Sequence, residues 1–456
     1  MKTSTSDWSE NAFFDMPVRG SVDGGTTSVG PLWHGISPRW GHSMHTMCSY
    51  HGMFPAKVAH YFIQRYSQPG DLVLDPFSGR GTVPLQARVE GRRTVSNDLN
   101  PLGYVLSQAK AYPPTWSAVD IFLRRIEASY RQADQGDRDV PEDIRMLYHP
   151  NTLQQICYLR DHLLSSEIAD WSQEEFMIAG SLAGIMHGSF RRDGTSQYLS
   201  ISMPNTFSMS PSYVKKYIET NRLIAPDQNV FECLRDKLAR LYLDATDGPN
   251  GPTFMQDAPS LLMQSSLKPG SVDLIVTSPP YLQVVNYGTA NWIRLWLLGL
   301  DEVGRERGAG RRSLNEKLDH QHTYISYQEF LLRTLKGIQR VLKQDGVAVL
   351  VIGNVADPGK APLRLAEQIW QDVGDQTDLR LLVDLIEDDL PAQNKVSRIW
   401  GVTKGQATNR DCILVLARKD GCPWTGPEAV DWDEPYKDGG PDAAHSRMKE
   451  MMRFTS

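Results

Sequence analysis

A serine, two prolines and a tyrosine follow an apolar run, and together they could bind an amino group. Val272 to Thr277 is rich in β-branched residues, which predicts a buried parallel strand. Proline lacks a backbone N–H and fixes φ, so the strand must end before Pro279 and Pro280. Ser278 and the Pro279 carbonyl would accept hydrogen bonds from an exocyclic amino group, and Tyr281 would stack on a flat heterocycle. A tight turn with Tyr281 as ordinary packing is the alternative.

A second segment with ligand-binding character follows another apolar run. Leu72 to Leu74 predicts a buried strand that ends at Asp75, and Gly79 and Gly81 predict a loop that a ligand can approach closely. Helical spacing resumes at Val83, so the loop lies where doubly wound sheets bind nucleotides. No Gly-Lys-Ser/Thr follows, and the Asp75 carboxylate favours a cationic or amine-bearing ligand over a phosphate.

Two further acids follow predicted strands. Arg93 to Asp98 predicts a strand whose final acid, about 20 residues past the glycine loop, suits ribose hydroxyls. Thr253 to Ala258 predicts another strand that ends in Asp257. We call the segment Ser278 to Tyr281 the Ser278 step. Because parallel strands end at a common edge, we expect the three acids and the Ser278 step to meet at one edge of one parallel sheet. A structural salt bridge would explain any one of these acids, but it does not easily explain why an acid follows each of the three predicted strands.

The stretch between residues 113 and 250 differs in composition and has apolar residues at helical spacing. The predicted helices are Trp116 to Arg131, Asn151 to Leu164, Glu174 to Gly188 and Asn229 to Leu243. Hydroxyl, aromatic and basic residues interleave between them, which suits phosphate and base-edge contacts as well as it suits solvated loops. The candidate nucleic-acid-binding residues are Arg191, Arg192, Lys215 and Lys216, with Arg311 and Arg312 in the charged stretch 301–322.

Bulk properties exclude several classes of protein. The chain has 456 residues, 40% of them hydrophobic and 22% charged, and a net charge of -6, which argues against a histone-like polycation but not against local basic patches. Its five cysteines are scattered, which predicts reduced thiols in a cytoplasmic protein. We expect no signal peptide and no membrane span.

The two motifs give the chain a family resemblance. Asp75 to Thr82 resembles the cofactor motif, and Thr277 to Tyr281 the catalytic motif, of the amino-group DNA methyltransferases, which modify N4 of cytosine or N6 of adenine. The segment His51 to Lys57 is similar to the stretch that precedes their cofactor motif. The resemblance covers roughly 50–110 and 250–420.

The resemblance implies a fold, a cofactor and a partner. The fold is α/β, a doubly wound, mostly parallel sheet of the Rossmann-like class I methyltransferase type with an inserted helical domain. The cofactor is S-adenosyl-L-methionine, the partner is DNA, and cognate restriction or defence-system proteins are further candidates. The chemistry needs no metal. The expected organisation is an N-terminal arm (1–45), a cofactor half (46–112), a helical insertion for target recognition (113–250), a catalytic half (251–420) and a C-terminal tail or cap (421–456).

The resemblance also assigns roles to residues. A flipped target base would stack on Tyr281, and hydrogen bonds to the Ser278 step would favour a tetrahedral, more nucleophilic nitrogen. The residues expected to bind the cofactor are Asp75, Pro76, Phe77, Gly79, Gly81, Thr82, Asp98 and Asp257, and those expected in catalysis are Ser278, Pro279, Pro280 and Tyr281.

Three other functions stay open. Serine in the first position of the catalytic motif favours N4 of cytosine, whereas adenine N6 is the alternative with the same site. An RNA base methyltransferase and a non-catalytic DNA-binding protein on the same fold are the others. Labelled methyl transfer followed by nucleoside analysis separates them.

Overall fold

The computed structural model describes twelve stretches of the chain, which form two compact units. The described residues are 33–50, 52, 55–132, 139–203, 210–282, 287–300, 318, 323–356, 363–389, 406–427, 429–434 and 436–437. The larger unit takes its described residues from 36–258, 286–319 and 426–456. The smaller unit takes its described residues from 1–35, 259–285 and 320–425.

The described residues of the larger unit form three parallel strands, which are joined by helices. They are β1 (Leu72–Asp75), β2 (Arg93–Asn97) and β3 (Thr253–Phe254). β2 lies between β1 and β3 and is parallel to both. The helices beside them are α1 (Ala56–Tyr66), α2 (Thr82–Val89) and α3 (Pro101–Ala111). The apolar run of β1 is buried, which agrees with the pattern that predicted it.

Two of these strands are shorter than their sequence pattern predicts. The prediction that β3 extends to Asp257 was wrong, because the strand pairs with β2 only through Thr253 and Phe254. β2 ends at Asn97, so Asp98 is the first residue after the strand. Helix α1 begins at Ala56, and Pro55 precedes it as the N-cap rather than lying in its first turn.

The predicted helical character of 113–250 is confirmed for its described residues. The helices are α4 (Trp116–Gln132), α5 (Glu142–Arg145), α6 (Pro150–Leu163), α7 (Gln173–Ile185), α8 (Pro211–Asn221) and α9 (Val230–Leu241). Their apolar faces share one core with α3, in which Leu106, Leu123 and Leu182 are fully buried. Two short helices, Tyr287–Ala290 and Trp292–Leu297, add to the same unit. The helical segment therefore packs directly on the strand-bearing part of the larger unit.

The described residues of the smaller unit form five strands, two of which make one long antiparallel pair. They are β4 (Val272–Thr277), β5 (Leu342–Ala356), β6 (Leu379–Leu381), β7 (Ile386–Asp389) and β8 (Gln406–Arg418). β4 is parallel to β5, whereas β8 is antiparallel to β5, β6 and β7. Its main helices are α10 (Tyr324–Val341) and α11 (Leu365–Val373), and a short helix spans Ala258–Leu262. Residues 382–385 separate the two short strands β6 and β7.

The parallel strands and their flanking helices confirm the predicted α/β, Rossmann-like fold class. No helix among the described residues is both long enough and apolar enough to cross a membrane. The described residues of 426–456 belong to the larger unit, where the Asp431 carbonyl contacts His60 Nε2 at 2.6 Å. Within the expected arm, Met44 is fully buried, so residues 33–45 are not separate from the core.

Candidate active site

The loop after β1 is built on two glycines in left-handed conformations. Gly79 has φ of 51° and Gly81 has φ of 75°, values that residues with a side chain rarely adopt. A methyl group placed on Gly81 would lie 2.9 Å from Cα of Ser107 on α3. The Gly81 N–H donates to the Ser78 carbonyl at 2.7 Å, and Gly81 is the N-cap of α2. The loop therefore requires glycine, both for its turn and for its close packing on α3.

Asp98 lies at the tip of β2 and is tied to this loop. Its Oδ2 accepts a hydrogen bond from the Gly79 N–H at 2.7 Å, and its Oδ1 accepts one from the Asn100 N–H at 2.8 Å. The absence of a side chain at Gly103 makes room for the carboxylate, because a methyl group there would lie 2.6 Å from Asp98 Cγ. Burial raises the pKa of Asp98 to about 6, and the two backbone N–H groups oppose that rise.

Asn97 connects the tips of the three strands. Its Nδ2 donates to the Pro76 carbonyl at 2.9 Å and to the Gln256 carbonyl at 3.0 Å. Its Oδ1 accepts from the Gln256 N–H at 3.1 Å. The fully buried side chain thus fixes the loop after β1 to the segment that carries Asp257. Sequence reasoning missed Asn97, although a polar residue in an otherwise buried strand end was a usable signal.

Asp75 and Thr82 bracket the loop through contacts inside the protein. Asp75 is buried, and its Oδ1 accepts from the Phe77 N–H at 3.1 Å. The Thr82 hydroxyl accepts from Arg80 Nε at 3.1 Å, and Arg80 also donates to the His45 carbonyl at 3.0 Å. Burial lowers the pKa of Arg80 to about 10. Lys110, fully buried, donates to the Arg80 carbonyl. The side chains of Arg80 and Lys110 therefore hold the loop in place on its buried side.

Two tyrosines that sequence reasoning missed lie beside the loop. The Tyr50 hydroxyl accepts from Asn100 Nδ2 at 3.0 Å, and a methyl group placed on Gly79 would lie 3.5 Å from Tyr50 Cε1. The rings of Tyr50 and Tyr287 have centroids 6.2 Å apart. Burial, with the nearby Asp98 carboxylate, raises the pKa of both phenols. In the segment His51 to Lys57, residues His51, Met53 and Phe54 lie outside the described residues, and Lys57 donates to the Ile36 carbonyl at 2.9 Å.

This set of groups suits the predicted cofactor. The left-handed glycines leave the loop surface without side chains, and the chemistry of the Asp98 carboxylate suits hydroxyl donors. The two buried acids, Asp75 and Asp98, suit a ligand that carries positive charge. S-adenosyl-L-methionine has these features, since it combines a ribose, an adenine and a sulfonium. The larger unit therefore provides residues that fit it.

The Ser278 step in the smaller unit has a defined hydrogen-bond direction. The Ser278 hydroxyl donates its proton to the Val351 carbonyl on β5 at 3.0 Å. The oxygen of that hydroxyl can then act only as an acceptor toward another group. The Tyr327 hydroxyl on α10 donates to the Pro280 carbonyl at 2.9 Å, which braces the second proline. Pro279 is buried, whereas Ser278, Pro280 and Tyr281 are half-buried.

The predicted nucleic-acid-binding residues lie on the helical segment where they can be described. Arg191 and Arg192 are exposed in a turn, and Lys215 and Lys216 are exposed on α8. Arg311 and Arg312 lie outside the described residues. The ring of Tyr213, next to this pair of lysines, is 53% exposed and stacks on Tyr217 with centroids 6.4 Å apart. Exposed lysines and tyrosine rings on one helix are features that suit nucleic-acid binding.

Comparison with known proteins identifies relatives of the chain. Residues 3–106, which include the glycine loop and Asp98, match the N6/N4 family of DNA methylases. This part of the chain is similar to the amino-group DNA methyltransferases. The match supports the predicted resemblance and contains the cofactor motif, Asp75 to Thr82, which is one of the two motifs on which the prediction was based. The other motif, Thr277 to Tyr281, lies beyond the matched residues.

Three type II methyltransferases are among the chain's similar proteins. M.MvaI from Kocuria varians is 25% identical over 48% of this chain and 50% of its own length. M.BsoBI from Geobacillus stearothermophilus is 19% identical over 57% of this chain and 53% of its own length. M.MjaII from Methanocaldococcus jannaschii is 30% identical over 15% of this chain and 13% of its own length. The chain thus spans about half the length of the first two and a small part of the third.

A solved structure gives a weaker likeness. The rRNA methyltransferase aviRa from Streptomyces viridochromogenes covers 82% of this chain with a TM-score of 0.30 and 11% identity.

Proposed function

We propose that the chain transfers a methyl group from S-adenosyl-L-methionine to the exocyclic N4 of cytosine in DNA. The observation that carries the proposal is the direction of the Ser278 hydrogen bond. Because the hydroxyl proton is committed to the Val351 carbonyl, the oxygen presents lone pairs, and the natural partner of those lone pairs is an N–H donor. The amino group of a nucleobase is such a donor.

The Ser278 step would act by holding that amino group. The lone pair of the amino nitrogen is delocalised into the ring of the base, which makes this nitrogen a weak nucleophile. The two N–H groups of the amino nitrogen would donate hydrogen bonds to Ser278 Oγ and to the Pro279 carbonyl. These bonds would favour a tetrahedral nitrogen with a localised lone pair. The braces from Val351 and Tyr327 would keep these acceptors in place as the nitrogen gains positive charge. The proton that the nitrogen releases would then pass to solvent.

Residues of the larger unit would hold the cofactor. We propose that Asp98 accepts the ribose hydroxyls, that the Gly79–Gly81 loop lies against the methionine part with Asp75, and that Asp257 binds near the adenine. Pro76, Phe77 and Thr82 would support the loop. When bound, S-adenosyl-L-methionine supplies an electrophilic methyl group. Asn97 would act as a positioning residue, because it fixes both Pro76 and the segment before Asp257.

The helical segment is the proposed surface for target recognition. Arg191, Arg192, Lys215 and Lys216 are exposed there and would contact phosphates. Tyr213 and Tyr217 would offer a stacking surface beside the two lysines. Cognate restriction or defence-system proteins are proposed as partners on the strength of the type II relatives alone.

Methylation of N6 in adenine is the second candidate. The acceptor set at Ser278 suits either amino group, and the serine itself favours cytosine only through the family pattern. The decisive experiment incubates the purified chain with methyl-labelled S-adenosyl-L-methionine and either unmethylated plasmid DNA or RNA, and then separates the nucleosides. Labelled N4-methylcytosine in DNA supports the proposal, and N6-methyladenine supports the second candidate. Label in RNA alone, or in neither nucleic acid, would refute both.

A further inference from the structure

Gly353 on β5 lies against the tyrosine of the catalytic motif. A methyl group placed on Gly353 would lie 3.2 Å from Cζ and 3.3 Å from Cε1 of Tyr281. These two atoms belong to the phenol end of the ring. Since contacts of that length are tighter than ordinary van der Waals packing, the missing side chain at Gly353 is what admits the phenol end. Gly353 also lies two residues after Val351, whose carbonyl accepts the hydrogen bond from the Ser278 hydroxyl.

A buried carboxylate shares this place with the ring. Asp411 pairs with Gly353 across the β5–β8 ladder, and its exposed fraction is 6%. The same methyl group on Gly353 would lie 3.2 Å from Asp411 Oδ1. The carboxylate and the phenol end of Tyr281 are therefore both in contact distance of one point on β5. None of the motifs in the sequence includes Asp411.

The chemistry of the pair gives the carboxylate a role. A buried carboxylate carries a large desolvation cost and needs polar or positive surroundings. The edge of an aromatic ring is electropositive, and the phenol end of Tyr281 adds a hydroxyl group. A ring that stacks on a base must keep its plane fixed, because a small misplacement of the reacting group costs much of the rate. Asp411 is placed to restrict Tyr281 in this way.

We propose that Asp411, admitted by Gly353, orients Tyr281 for stacking on the target base and so acts as a positioning residue in methyl transfer. The inference rests on the proposed function, because it assigns a support to the residue that would stack on the base. It adds a residue on β8 to a site that the sequence motifs confine to β4 and its following turn.

The test compares Asp411→Asn with Asp388→Asn. Asp388 is the matched control, because it lies opposite Asp411 on β7, is similarly buried at 4%, and instead contacts Trp33 Nε1 at 3.1 Å. With plasmid DNA as substrate, we expect Asp411→Asn to lower kcat by about 10- to 100-fold with the KM for S-adenosyl-L-methionine unchanged. Asp388→Asn should stay within about 3-fold of the wild type once the folded fraction is matched.

A double-mutant cycle with Tyr281→Phe separates positioning from a general structural role. If Asp411 acts through the phenol end of Tyr281, the two substitutions share one effect, and the double variant should be only slightly slower than the slower single variant. Independent losses that multiply would overturn the inference. So would an Asp411→Asn variant with wild-type kcat, or one whose loss is matched by Asp388→Asn.

Gly353→Ala provides an independent variant. The added methyl group must displace either the ring or the carboxylate, so we expect a similar fall in kcat with cofactor binding retained. The wild-type protein, measured in the same assay, separates a failure of the proposed methyltransferase function from a failure of the positioning role of Asp411. Absence of methyl transfer by the wild type refutes the proposed function itself, whereas an active wild type with an equally active Gly353→Ala refutes only the role of this contact.

Discussion

Asp98 has to accept hydrogen bonds from its own protein and, in the proposed function, from a ribose as well. Its two oxygens already accept the N–H groups of Gly79 and Asn100. Burial raises its pKa to about 6, so it is ionised at neutral pH but protonated in mildly acidic solution. Because the pKa is raised in the folded state, the free energy of unfolding falls as the pH rises through about 6.

Cofactor affinity should therefore depend on pH through Asp98. We expect the Kd for S-adenosyl-L-methionine to be constant above about pH 7 and to rise as the pH falls through about 6, because the protonated acid is a poorer acceptor for the ribose hydroxyls. Asp98→Asn should bind weakly at every pH, with a flat profile. Calorimetric titration measures both, and Asp71→Asn, a partly exposed acid at the start of β1, is the control. A wild-type profile that stays flat from pH 5 to 8 would contradict this assignment.

Ser278 provides the second prediction at this scale. Ser278→Ala removes the acceptor of the amino group, so we expect kcat to fall by about 100-fold or more with the Kd for the cofactor unchanged. Ser271→Ala is the matched control, since the Ser271 hydroxyl also donates to a backbone carbonyl of the smaller unit, that of Lys268 at 2.7 Å. Full activity in Ser278→Ala would show that the amino group is held elsewhere.

At the scale of elements, the loop between β1 and α2 depends on both conformation and packing. Gly81→Ala forces a side chain into a left-handed conformation and against Ser107, so we expect a loss of about 1–3 kcal/mol in the free energy of unfolding. Gly70→Ala is the control, because Gly70 has φ of 91° but no atom within 4 Å of an added methyl group.

The comparison of these two variants isolates the packing of the loop. Gly70→Ala should cost about 1 kcal/mol from conformation alone and leave cofactor affinity unchanged. Gly81→Ala should also weaken cofactor binding, because the loop must move away from α3. Chemical denaturation and calorimetric titration give the two quantities. Equal stability and equal affinity in both variants would show that the contact with Ser107 does not constrain the loop.

At the scale of the whole molecule, the far end of the described chain stabilises the larger unit. The centroid of the Trp432 ring lies 5.1 Å from that of His60 and 5.6 Å from that of Trp40. The Trp432 carbonyl also accepts a hydrogen bond from Trp40 Nε1 at 3.1 Å. His60 also contacts the Glu90 carboxylate, at 2.7 Å. A segment near the end of the sequence thus covers α1, which lies near its beginning.

Loss of this ring should weaken the larger unit. We expect Trp432→Ala to lower the free energy of unfolding by about 1–3 kcal/mol, because removal of this half-buried indole exposes the aromatic rings that it covers. Trp424→Ala, whose side chain is 39% exposed, should change it by no more than about 0.5 kcal/mol. Hydrogen exchange of the α1 amides measures the effect locally. Unchanged exchange in Trp432→Ala would show that the segment does not protect α1.

The sequence alone determined the features that depend on neighbouring residues. Apolar runs located β1 and β4, and apolar periodicity located the helices of 113–250, since burial of a regular element imposes these patterns. Proline chemistry ended β4 before Ser278, and the glycine loop and Asp98 were found because their spacing follows the strands.

Only the tertiary structure decided which distant groups serve these motifs. Asn97 joins two loops far apart in sequence, Val351 fixes the direction of the Ser278 hydroxyl, and Gly353 lies close to both Asp411 and Tyr281. None of these contacts has a fixed sequence spacing, because each is made across strand register or between loops. The short extent of β3 was likewise decided by pairing with β2, since strand length depends on the partner as well as on the strand's own residues.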